Sequence, residues 1–166
     1  LAARRYGDAA SQLRSVLTTL ELQRAPGVKR LGELRVLRLE RAQQALDGLA
    51  AHVRKGQEPS LTLRLEAPDG EVREARAVKY DGLQRRFTFQ FTAQMLEDKQ
   101  LAELTPAQLL TLLQPLGGGA KDLLARACLA YEVGALPQAE QLLGRARALD
   151  PGLARTVDDL RALEGQ

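Results

Sequence analysis

The sequence predicts an α+β fold in which helical hairpins flank a small antiparallel β meander or barrel. Three observations predict it. Apolar residues recur at three and four positions near both ends of the chain, the spacing that puts one stripe of a helix against a core. Between them, SLTLRLE and RRFTFQFT alternate apolar with polar residues, the period of a half-buried strand. Proline, glycine and aspartate punctuate the changes of period. The segments fall at 1–56, an antiparallel helical hairpin with a truncated first helix pair; 57–104, an antiparallel β element with a connector; and 105–166, a closing set of helices.

The first helix runs from Asp8 to about Arg24, with Ala9, Leu13, Val16, Leu17 and Leu20 on its stripe. Ala25-Pro26-Gly27 breaks the pattern, because proline lacks the amide donor and glycine tolerates the left-handed conformation at a helix end. A longer helix follows, from Leu31 through Leu34, Leu37, Ala42, Ala45, Leu46, Leu49 and Val53 almost to Gly56. Composition changes at Glu58-Pro59. Leu61, Leu63 and Leu65 then line one face of a strand, and Ala67-Pro68-Asp69-Gly70 supplies a tight turn. EVREARAVKY returns as a second strand, Asp81-Gly82 turns again, and Phe87, Phe89 and Phe91 share one face of a third. Met95 to Leu104 reads as a polar connector with some helical character.

Thr105-Pro106-Ala107-Gln108 opens a helix by rule: threonine caps, proline suits the first helical position, and glutamine three residues on completes a capping box. The helix stops at Gly117-Gly118-Gly119, which reads as a hinge. A phosphate loop needs Lys followed by Ser or Thr, and Lys121 is followed by Asp122. Leu123, Leu124, Ala127, Cys128 and Tyr131 fit the next helix, Gly134 to Pro137 a turn, and Ala139, Leu143, Ala146 and Leu149 another helix closed by Asp150-Pro151. Leu153, Val157, Leu160 and Leu163 form a last helix that covers an apolar face.

Residues 120–152 resemble a tetratricopeptide repeat, in the order Tyr131, Gly134, Leu136, Ala139, Leu143, Ala146 and Asp150-Pro151. The match departs from the family at Leu123, where tryptophan is common, and at Arg126 and Ala130, where larger apolar side chains are usual. Residues 1–20 can be laid on the second half of this unit by matching Ala9 with Ala139, which pairs Tyr6 with Leu136, Leu13 with Leu143 and Val16 with Ala146. The resemblance implies a chain cut from a longer helical array and a peptide-binding groove on first-helix residues such as Lys121, Leu124, Arg126 and Tyr131. Residues 59–92 resemble, more faintly, a small SH3-like or Sm-like barrel.

The formal charge of +3 and pI near 9.3 raise the question of nucleic acid, and the distribution of charge answers it. Residues 1–60 hold 11 Lys or Arg against 6 Asp or Glu, residues 61–100 hold 7 against 7, and residues 101–166 hold 6 against 8. The excess is confined to the first helices, where Arg35, Arg38 and Arg41 stand at helical spacings from Glu33 and Glu40 and read as a solvated, internally paired face. No apolar run reaches the roughly 18 residues of a membrane span. LAARRYGDAA lacks the apolar core of a secretory signal, and the chain reads as processed or excised. With 19 Arg against 5 Lys, the composition suggests a GC-rich bacterial source.

The sequence assembles no reactive group. Cys128 lies in an apolar run and reads as a buried small side chain; His52 lies near a helix end beside Arg54 and Lys55. One His and one Cys do not make a metal cage. Glu97-Asp98 and Asp158-Asp159 read as solubilising faces, since neighbouring helical residues point about 100° apart. No cofactor fingerprint is present. The expected function is therefore a non-enzymatic protein–protein interaction or scaffold module, without metal or cofactor. It would present either the helical groove or the outer face of the sheet with Arg73, Lys79, Arg85 and Arg86. Exposed strand edges offer self-association. The alternative is a nucleic-acid-binding barrel, which needs the phenylalanines exposed as a stacking platform beside Arg85 and Arg86.

Overall fold

The computed structural model describes residues 5–18, 25–56, 61–81 and 84–164. Its elements in chain order are α1 (Tyr6–Leu17), α2 (Pro26–Lys55), β1 (Thr62–Glu66), β2 (Val72–Asp81), β3 (Arg86–Gln90), β4 (Leu96–Gln100), a 3-10 turn (Leu101–Glu103), α3 (Pro106–Leu113), α4 (Ala120–Glu132), α5 (Leu136–Leu149), a second 3-10 turn (Pro151–Leu153) and α6 (Ala154–Glu164). The architecture is α+β with an antiparallel meander, as the periodicities predict. The chain divides into two compact units: a helical one from Arg5–Ala45 and the chain from Gly118 onward, and a sheet unit within Leu46–Gly117. The 30-residue α2, about 45 Å long, contributes residues to both.

In the helical unit, α1 and α2 run antiparallel. The amide of Gly7 donates to Gln43 Oε1 at 3.3 Å near one end. Leu17 crosses Gly32 at the other, where a Cβ would stand 2.4 Å from its Cδ2. The core is Tyr6, Ala10, Leu17, Val36, Leu39, Ala42 and Ala45 with residues of α4, α5 and α6. The expected stripe on α1 is shifted: Ala10, not Ala9, is buried, and Val16 is 52% exposed. That overturns the superposition of residues 1–20 on the second half of the 120–152 unit, because Val16 would match the fully buried Ala146, and buried Tyr6 the exposed Leu136. α1 also ends at Leu17, capped by Thr18, short of the expected end near Arg24; Leu20, residues 1–4, the Glu58-Pro59 boundary and Gly82 lie outside the described residues.

Every residue of α4 from Leu123 to Tyr131 is buried, so this helix is surrounded on all sides. It turns into α5 through Val133-Gly134-Ala135. The Ala135 amide donates to Ala130 O at 2.9 Å and the Gly134 amide to Tyr131 O at 3.1 Å, the two bonds of a Schellman stop. Gly134 adopts φ +79°, which a side chain would strain.

In the sheet unit the strand order is β1-β2-β3-β4, all neighbours antiparallel. Leu61, Leu63, Leu65, Ala75, Ala77, Phe87 and Phe89 form its buried face, with Leu49 and Val53 of α2 and Leu109, Leu112 and Leu113 of α3 also in the core. Tyr80 stacks on Phe87 with centroids 4.7 Å apart, and the Arg54 guanidinium of α2 lies 5.5 Å from the Tyr80 ring. α3 begins as its sequence requires: Thr105 Oγ1 accepts from the Gln108 amide at 3.2 Å, and Gln108 Oε1 accepts from the Thr105 amide at 2.9 Å.

Two expectations fail here. The SH3-like or Sm-like barrel does not form: among the described residues β1 and β4 are the two edges of an open sheet, and three five-residue strands with one bulge do not bend far enough to close. The polar connector from Met95 is instead β4 followed by a 3-10 turn. LEDKQ has little intrinsic strand preference, and backbone pairing with β3 overrides it.

Candidate interaction surface

Of the four residues proposed for a helical groove, only Lys121 is exposed. Leu124, Arg126 and Tyr131 are 2%, 9% and 6% exposed, inside the helical unit, and do not line an open groove. Burial lowers the Arg126 pKa, with the nearby Arg145 adding to the effect and Asp122 opposing it.

Tyr131 belongs to an ionic cluster that sequence periodicity misses. The Glu132 carboxylate, 1% exposed, receives Arg38 Nε at 2.6 Å and Arg35 Nη1 at 2.8 Å. Arg38 Cζ also lies 5.5 Å from the Tyr131 ring centroid. Burial pushes the Glu132 carboxyl up, and Arg35 pulls it down. Its place at the C-terminal end of α4 opposes the helix dipole, which the two arginines offset. The Tyr131 hydroxyl donates to Glu140 Oε1, and Arg161 Nε donates to Glu140 Oε2 at 2.7 Å. The Tyr131 bond holds the Glu140 carboxyl low, burial works against it, and Arg161 reinforces it. Arg38 is therefore not on a solvated face: its partner is 94 residues away. The available signal was an arginine set among Val36, Leu37 and Leu39, and a lone Glu132 ending an apolar run.

The four sheet candidates do not share a face. A bulge between Ala77 and Lys79 shifts the register of β2 against β3. Before it, Arg73 pairs across from Leu65 on the buried side and is held by Asp69 and Glu71, each at 2.7 Å. After it, Lys79 pairs with Thr88 and is exposed, beside Arg86. Arg86 Nη1 lies 3.0 Å from Asp98 Oδ2, whose other oxygen accepts from Thr88 Oγ1 at 2.7 Å. Arg85 precedes β3 at φ +50°, half-buried. The outer face thus carries Arg64, Glu74, Arg76, Lys79, Arg86 and Asp98, with Val72 and Leu96 exposed by 61% and 57%. Phe87 and Phe89 are 1% and 0% exposed on the opposite side, so they offer no platform for bases; Phe91, past the end of β3, is half-buried.

Glu97 departs from its reading as a solubilising residue. It turns to the inner side of β4, where its Oε1 pairs with Lys99 Nζ at 2.7 Å while Oε2 is buried with no hydrogen-bond partner among the described residues. Asp158 is exposed and pairs with Arg147 at 3.1 Å, while Asp159 is half-buried and pairs with Arg30 at 2.8 Å.

Cys128 is buried and its thiol pushed up to about 12 by burial, with Arg41 a smaller opposing influence. His52 lines a cavity of about 210 Å³ with Val53, Gly56, Leu61, Arg76, Ala77 and Val78, smaller than typical small-molecule sites. Among the described residues no group of His, Cys, Asp and Glu could hold a metal ion, and no helix is long and apolar enough to cross a membrane.

The chain matches no protein-family model, no curated protein and no solved structure. The resemblance to tetratricopeptide repeats at 120–152 therefore does not hold as membership. With the N-terminal superposition also overturned, what stands is a helical hairpin within a mixed α+β chain.

Proposed function

We propose that this chain is a non-enzymatic interaction module that holds a protein partner on the outer face of its sheet. The observation that carries the reading is the open face itself: Lys79 and Arg86 project beside one another, and exposed Val72 and Leu96 stand among Arg64, Glu74, Arg76 and Asp98. Alternating charge around apolar side chains suits a protein surface of complementary pattern. A phosphate backbone calls for one sign of charge. The deep burial of Cys128 supports a role without nucleophilic chemistry, since a thiol held protonated to about pH 12 does not attack at neutral pH.

The test is photo-crosslinking in the producing cells, with a benzoyl-phenylalanine placed at Lys79 and, in a separate chain, at Lys121. A discrete protein adduct from position 79 and none from 121 is the expected outcome. Adducts only from position 121 would move binding to the helical unit, and none from either would sink the reading.

A further inference from the structure

We infer that β4 pairs with β4 of a second copy, joining the two open sheets into one across a two-fold axis at Asp98. The argument starts from the hydrogen-bond parity of the edge. The Phe91 amide donates to Met95 O at 3.0 Å and the Leu101 amide to Arg85 O at 2.9 Å. Odd-numbered residues of β4 therefore bond to β3. The N–H and C=O groups of Leu96, Asp98 and Gln100 face the free edge, where no described strand pairs with them. Of these, the Gln100 amide is engaged by the Glu103 carboxylate. An antiparallel partner centred on Asp98, with Asp98 opposite Asp98 and Leu96 opposite Gln100, exchanges both bonds between the Asp98 residues and receives each Leu96 amide on Gln100 O, while Leu96 O faces the amide that Glu103 holds.

Charge then selects this register. It places Glu97 opposite Lys99 of the second copy and Lys99 opposite its Glu97, at non-hydrogen-bonded positions where side chains approach most closely. Glu97 Oε2, buried and unpartnered among the described residues, gains a donor there. An unmet buried carboxylate oxygen is costly, and a facing ammonium removes that cost. The two Asp98 carboxylates on the axis are each already held by Arg86 and Thr88, so two neutral pairs meet rather than two bare anions. The opposite edge is the poorer choice. Self-pairing of β1 about Arg64 sets two Arg64 side chains face to face, while Leu63 and Leu65 are already buried in their own core.

Five-residue strands make a small interface, so the dimer is weak and is measured at about 0.01–1 mM chain. Sedimentation of the full chain should show concentration-dependent dimerisation. Glu97→Lys alone and Lys99→Glu alone should each weaken it by about tenfold or more, because either change sets like charges across the axis twice. An equimolar mixture of the two variants should dimerise again, since each then faces its complement. A wild type that stays monomeric at about 1 mM, or a mixture that associates no better than either variant alone, overturns the inference. Amide exchange in the unaltered chain gives a check independent of how the variants fold. Leu96 and Asp98 should exchange more slowly as concentration rises while Glu97 and Lys99, already bonded to β3, do not change; equal behaviour at all four positions also overturns it.

Discussion

The helical unit encloses one ion cluster away from water, whereas the sheet unit keeps most of its charges on an open face. In the first, Glu132 is enclosed with Arg35 and Arg38; in the second, Arg86 and Asp98 pair at 38% and 41% side-chain exposure. The difference follows from geometry. A helix surrounded on every side, as α4 is, leaves no solvated stripe, so a charge at its end must find its counter-charge inside. A sheet covered on one face has alternate residues free for water. The same chemical pair thus constrains packing in one unit and decorates a surface in the other.

Breaking Glu132 should have the largest effect. Glu132→Ala leaves Arg38, 8% exposed at its side chain, without its carboxylate, and should cost about 3–5 kcal/mol in urea unfolding. A loss below about 1 kcal/mol would place this cluster with ordinary surface pairs and erase the contrast between the units.

A smaller effect is expected at Glu140, 46% exposed, where replacement by Gln should cost about 1 kcal/mol at neutral pH once solvent screening is allowed for. Its folded-state pKa lies below the ordinary 4.5, chiefly because of the Tyr131 hydroxyl. The unfolded chain therefore binds more protons between those two values, and the stability Glu140 supplies is present above pH 4.5 and drains away as pH falls below it. Glu140→Gln should flatten that acid limb in melts recorded from pH 6 to 3; an unchanged slope refutes the assignment.

The smallest is Asp98→Asn, expected to shift stability by about 0.5 kcal/mol or less in dilute solution, because its Arg86 pair is exposed. A loss as large as that of Glu132→Ala would mean the outer face of the sheet is not solvated as its exposure implies.

Legibility in the sequence tracked the range of the interaction. Leu61, Leu63 and Leu65 announced β1, and Thr105 to Gln108 announced the start of α3, because each signal lies within a few residues of its effect. Arg73 and Lys79, six residues apart, would share a face in a regular strand; the bulge at Val78 sends them to opposite sides. Leu124, Arg126 and Tyr131 were legible as one helix but not as its interior, since periodicity does not reveal how many neighbours a helix has. Of the proposed outer-face surface, only Lys79 and Arg86 were readable; Arg64, Arg76, Val72 and Leu96 joined that face through pairing.

The sequence alone determined where the long helices and the first three strands alternate, where α3 is capped and where Gly134 turns the chain, because those outcomes rest on dihedral preference and on contacts one turn away. Tertiary structure alone decided that Glu132 would meet Arg38, that LEDKQ would be drawn into β4, and that the sheet would stay open with Glu97 at its edge. Those outcomes depend on which distant segment supplies the hydrogen bond or the opposite charge, and no local pattern carries that information.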